Sequence, residues 1–250
     1  MEWGFMTPAH IASLVFAVAM NMGLYYALRG RSQKLQTMVL LLFSLTGIVA
    51  IVYNLIRWDA PLQYLPLQLC SINALVLPFA VVTRSKRLGN LLLLWSLGAL
   101  VALVLNFEVT TVRIFDEVFN FYYFPHVFEF GIPVLLFKLG LVKKDVNCIH
   151  STISTTLVFY TFAHLCNKII NAWCIATGQG FRVNYMFSIQ PNNPLTALFY
   201  DLVPYEYWYM LLVLPIVAVY LAAVYAPELR SLYFSRSRNV SAWLRRKIAH

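Results

Sequence analysis

Charge is what this chain has least of. Only 12% of its 250 residues are Asp, Glu, Lys or Arg, against 60% hydrophobic, and the mean hydropathy is +0.69. Soluble domains are about 45–50% apolar, so a polytopic membrane protein is the default class. The four cysteines, Cys70, Cys148, Cys166 and Cys174, form no CxxC pair. That spacing excludes a zinc-binding or disulfide framework as the organising element, and no metal and no cofactor is expected. The opening MEWGFMTPAH has neither a basic n-region nor a small-residue cleavage pattern, so the first apolar segment is expected to be retained. No repeat, low-complexity tract or hydrophilic insertion is long enough for a second domain.

What the chain has in abundance is apolar runs near the roughly 20 residues needed to cross a bilayer. They lie at 10–28, 36–56, 64–83, 88–107, 121–141, 151–175 and 202–225. The fold class is therefore all-α, with seven transmembrane helices in a single membrane domain over 1–229 and a basic cytoplasmic tail at 230–250. Lys and Arg orient such a chain, because cytoplasmic loops retain them. The first, third and fifth loops and the tail hold all of the 19 basic residues except Arg57, Arg113, Lys168 and Arg182. The N-terminus is expected outside and the C-terminus in the cytoplasm. The net charge of +9 is then loop basicity rather than a nucleic-acid surface, and nucleic acid is not an expected partner. The Arg-rich, aromatic tail serves either as an orientation signal or as a segment lying on the anionic leaflet.

Polar residues inside the apolar runs gather in the outer half. YLPLQLCSIN (64–73) begins the third segment, FYYFPHVFEFGIP (121–133) the fifth, and HLCNKIINAW (164–173) lies late in the sixth. The loop GQGFRVNYMFSIQPNNP (178–194) follows on the same side. On a helix His164, Asn167, Lys168 and Asn171 fall within an arc of about 100°. Lipid rejects such a face, so it points into the bundle, either as a ligand-binding wall or as a polar seam between helices. Lys168 needs an anion, and Glu129 is the protein group to expect. His126 and Glu129 stand at i and i+3 on one face, an arrangement suited either to a general base with its orienting carboxylate or to a structural pair. With Pro66 in the first helical turn, Cys70 and Asn73 lie about 60° apart whereas Gln68 and Cys70 lie about 200° apart. The inward pair is either Cys70 with Asn73 or Gln68 with Ser71. Trp58, Tyr64, Tyr122, Tyr123, Trp173, Tyr205 and Trp208 read as an interfacial aromatic belt.

LPLQLCSI (65–72), YYFPHVFEFGIPVLLF (122–137) and NYMFSIQPNNPLTALFYDLVPYEYWYM (184–210), in this order and spacing, resemble the YwaF-type family of bacterial integral membrane proteins. That family is related to the eukaryotic transmembrane protein 164, an acyltransferase that remodels ether phospholipids through a proposed cysteine acyl-enzyme. The family pattern has His where this chain has Gln68, and the eukaryotic branch has its cysteine at the position of Leu67. The resemblance implies an acyltransferase in the bacterial inner membrane, with phospholipid or lysophospholipid as substrate. It implies a cysteine nucleophile, which Cys70 can supply one turn beyond Leu67 on the same face, with His126 as base and Glu129 as its orienting carboxylate. Lys168, Arg113 or Arg182 would receive the lipid phosphate, and Asn171, Asn73 or Gln68 the oxyanion. His164, Asn184 and Tyr185 complete the expected substrate-binding set. The competing readings are a transporter or binding protein for a small anionic solute, and an intramembrane lipid hydrolase.

Overall fold

The computed structural model describes residues 2–105 and 112–233. The tail's Arg236, Arg238, Arg245, Arg246 and Lys247 lie outside the described residues. Among those described the chain is helical, with no strand beyond an isolated bridge between Glu2 and Arg113.

Local chemistry sets the helix boundaries. Thr7 caps α1 (Pro8–Leu28) through its side chain, which accepts from the His10 amide, and Pro8 fills the first turn, where no N–H is needed. Ser32 does the same for α2 (Gln33–Arg57). The third segment starts later than its hydropathy implies. Residues Pro61–Tyr64 form a 3-10 turn, and Leu65 is extended with ψ 143°, the conformation favoured before a proline. Pro66 therefore precedes the helix instead of opening it, and α3 (Leu69–Thr83) begins after Gln68. α4 (Lys86–Leu105), α5 (Glu117–Lys138) and α6 (Cys148–Ala176) follow.

The seventh apolar run, 202–225, is not one helix. A short α7 (Pro194–Leu202) ends where the run begins, Tyr207 is left-handed at φ 66°, and Tyr209–Val213 is a 3-10 turn before α8 (Leu214–Val224). Pro204 supplies no amide to continue α7, and Pro215 sits in the first turn of α8, where proline is tolerated. Among the described residues three helices are each long and apolar enough to cross a membrane: α1, α2 and α4. A fourth candidate is the pair Tyr209–Val224 and Ala226–Tyr233, bent by 71°.

Contacts at the helix ends define direction. At one end Arg57 closing α2 meets Glu117 opening α5, and His10 of α1 donates to the Leu103 carbonyl of α4 at 2.8 Å. At the other, Gln36 donates to the Leu28 carbonyl, Arg84 to Gln33 and Thr37, and Asn90 to the Lys143 carbonyl. Thus α1, α3 and α5 run one way and α2, α4 and α6 return, and the three basic loops meet at one end. Much of the core lies along α4 and α5, whereas α1 and α2 turn Val15, Phe16, Leu42, Val49 and Ile56 outward. Outward apolar faces of this extent suit lipid as solvent. Of the expected aromatic belt, Trp173, Tyr205 and Trp208 are exposed, but Tyr123 is buried and donates to the Ser13 carbonyl.

Candidate functional site

α3 and α5 pack side by side in parallel. Their register is fixed where Asn73, fully buried, donates through Nδ2 to the Glu129 backbone carbonyl at 3.3 Å. Three residues back on each helix, one turn nearer the start, stand Cys70 and His126. The same step on two parallel helices keeps them level. Of the four residues open in sequence Asn73 is buried, while Cys70, Gln68 and Ser71 are all half-buried. None of the four cysteines forms a disulfide.

His126 is buried, and its Nδ1 lies 2.6 Å from the Tyr122 carbonyl one turn earlier, with the two rings 4.4 Å apart. A carbonyl can only accept, so Nδ1 carries the proton and Nε2 is left with a lone pair. The expected orienting role of Glu129 is thereby corrected: the backbone carbonyl of Tyr122 sets the tautomer. The signal was present in the sequence only as a helical i−4 neighbour, which every helical residue has. The Glu129 side chain is buried against α2, where a Cβ on Gly47 would stand 3.0 Å from its Oε1. Its Oε2 and the Oδ1 of Asn73 are buried acceptors with no hydrogen-bond partner among the described residues.

The polar stripe of α6 holds a loop. Asn171 gives its amide to the Val183 carbonyl and accepts from the Val183 N–H, at 2.9 and 2.8 Å. Asn167 does the same with Tyr185, at 2.9 and 2.8 Å, and also donates to Ser188 Oγ at 2.9 Å. His164 Nδ1 lies 3.0 Å from the same hydroxyl. These three residues hold a loop and do not form the expected seam between helices. Lys168 at the edge of the stripe is exposed and pairs with Glu206 at 2.9 Å, not with Glu129. Glu206 was hidden from sequence reasoning because it lies 38 residues away across a chain break in helicity.

The same loop reaches α3. Gln68 Oε1 accepts from the Met186 amide at 2.7 Å, leaving the first turn of α3 without a side-chain cap. Tyr185 donates to the Leu62 carbonyl, and burial pushes its hydroxyl up to about 12, so it stays a donor. Asn184 closes the loop on itself through the Gln190 carbonyl and the Ile189 amide. Arg182 is exposed and donates to the Gln179 and Phe181 carbonyls, and Arg113 is exposed beside Glu2. The structure thus joins Asn73 to the Glu129 backbone across the α3–α5 contact, sets Cys70 and His126 one turn nearer the start of each helix, and ties Gln68 to the loop. His164, Asn167 and Asn171 stand behind the loop. Among the described residues no three His, Cys, Asp or Glu side chains group as metal ligands.

No curated protein and no solved structure matches the chain. A family match does extend from residue 5 to residue 225, taking in α1 to α8, the α3–α5 contact and the loop tied to Gln68. The chain belongs to the TMEM164 family.

Proposed function

We propose that this protein is an integral membrane acyltransferase that passes a fatty acyl group between phospholipid and lysophospholipid through a thioester on Cys70. What supports the reading is the Asn73 to Glu129 register, which gives Cys70 and His126 the same height on neighbouring helices, together with the lone pair that the Tyr122 carbonyl leaves on His126 Nε2. His126 Nε2 takes the thiol proton as sulfur attacks the acyl carbonyl. The C–O ester bond breaks, and His126 returns that proton to the leaving lysolipid oxygen. In the second half the acceptor hydroxyl gives its proton to Nε2, its oxygen attacks the thioester, the C–S bond breaks and the thiolate regains the proton.

Cys70 is the second residue of a helix whose N-cap side chain is turned elsewhere. Its position favours an anion twice over, as thiolate and as tetrahedral oxyanion, since first-turn amides point that way. The amide groups of Asn171 and Asn73 are already engaged, so the first turn of α3 takes the oxyanion role. Glu129 Oε2 and Asn73 Oδ1, buried acceptors one turn deeper, suit a substrate that brings an O–H. Arg182, joined to the α3 side through its carbonyl and Gln63, serves the lipid phosphate. Convergence of the basic loops at the opposite end supports seven crossings with the Cys70 end exoplasmic. Lys168 is exposed and paired with Glu206, so it is left out of the phosphate site.

Purified protein in nanodiscs with labelled phospholipid is expected to gain a hydroxylamine-sensitive acyl mass on Cys70. Cys70→Ala is expected to abolish acyl exchange and His126→Ala to slow it about 10²–10⁴-fold. Exchange unchanged in both variants, with normal folding, overturns the proposal.

A further inference from the structure

Met186 and Phe187 stand consecutively in the left-handed region, at φ 50° and 54°, and neither is glycine. Such a pair is costly, and it persists only where the surroundings over-determine it. Here they do. Asn171 and Asn167 grip Val183 and Tyr185 from α6 by paired hydrogen bonds. Tyr207 donates from its amide to the Ser188 carbonyl at 2.7 Å, Tyr209 from its hydroxyl to the Phe187 carbonyl, and Gln68 accepts the Met186 amide. Val183, Tyr185, Met186 and Ser188 are all buried. Residues 183–188 form a rigid strap, bound on three sides, whose strained centre is tied to the N-cap of α3 two residues from Cys70.

We propose that this strap, through Gln68 and the Met186 side chain, is the water-excluding roof over Cys70 and determines that the acyl-enzyme transfers its acyl group instead of hydrolysing. The inference rests on the acyl-enzyme reading above and names the residues that decide its product. A thioester partitions between two nucleophiles. When a lysolipid hydroxyl attacks, the new C–O bond forms as C–S breaks and the hydroxyl proton returns to sulfur. When water attacks, the same bonds change and a free fatty acid leaves. The two routes share nucleophile and base, so only access separates them. In this proposal lipid enters between helices and water from the strap end.

Gln68→Ala removes the tie, and Met186→Gly removes the side chain while easing the left-handed backbone. The protein in nanodiscs is treated with a charged, membrane-impermeant thiosulfonate, and modification of Cys70 is followed by peptide mass. Both variants are expected to label Cys70 at least tenfold faster than wild type. Their ratio of free fatty acid to acylated lysolipid should also rise at least tenfold. Labelling at the wild-type rate in both folded variants overturns the roof. Faster labelling with an unchanged product ratio overturns its role in specificity. If wild-type Cys70 never acylates, the acyltransferase reading fails, and with it the partition, whereas the labelling arm still decides the roof separately.

Discussion

Gly131 is one of the places where α1 and α5 touch. A Cβ there would stand 1.6 Å from Asn21 Oδ1, and Asn21 is held in place by its own donation to the Ala17 and Val127 carbonyls at 3.0 and 3.3 Å. Small residues at helix contacts are a general device of membrane bundles, and Gly47 repeats it between α2 and α3, where a Cβ would lie 2.6 Å from that of Ala74. Gly131→Ala is expected to destabilise the fold by about 1–3 kcal/mol through overpacking. The check is the thermal midpoint in detergent, which should fall. Gly23→Ala on α1 is the control, because its Cβ meets nothing within 4 Å. His126 makes a different point at this scale: what tunes it is the carbonyl of Tyr122, an atom that no side-chain substitution deletes.

At the scale of elements, the α6 stripe and the strap behave as one unit. Asn167→Ala leaves the buried N–H and C=O of Tyr185 without partners, at about 1–3 kcal/mol for each unsatisfied group. Lys168→Ala, by contrast, breaks an exposed pair, which is worth about 0–1 kcal/mol. Thermal unfolding of the two variants should rank them in that order, and an equal or reversed ranking contradicts the strap's anchoring. A second junction joins the α3–α4 turn to the segment before α6. The Lys86 ammonium, hydrogen-bonded to Asp145 at 2.5 Å, and the Asn147 amide hold the Asp145 carboxyl below its ordinary range. A depressed folded value means that the contribution is present above the unfolded value of about 3.9 and is lost as pH falls through the folded one. The stability difference between wild type and Asp145→Asn should therefore be constant near neutrality and close in acid below pH about 4. A difference that persists there contradicts the ion pair as its source.

For the molecule as a whole, the basic loops and the Cys70 seam lie at opposite ends, and the exposed apolar faces of α1 and α2 run between them. With the basic end cytoplasmic, Ser85→Cys is expected to resist an impermeant thiol reagent in intact cells and Gly178→Cys to react. The reverse pattern would invert the proposed topology. Most helices were legible in sequence because hydropathy, caps and prolines act locally: α1, α2, α4, α5 and α6 overlap closely with their apolar runs. The seventh run was misleading because hydropathy sums over residues whether or not one helix contains them, and Pro204 and Pro215 divide it.

Sequence by itself determined the helical membrane class, the segregation of basic loops and the concentration of polar residues near one end, because each is a sum taken along the chain. Only the tertiary structure decided which of those polar atoms meet. It gave Lys168 to Glu206, the His126 Nδ1 to a backbone carbonyl, and the amides of α6 to the strap. The reason is that a buried donor is satisfied by whichever acceptor packing brings within about 3 Å, and that choice belongs to helix register and loop course, which no local pattern encodes.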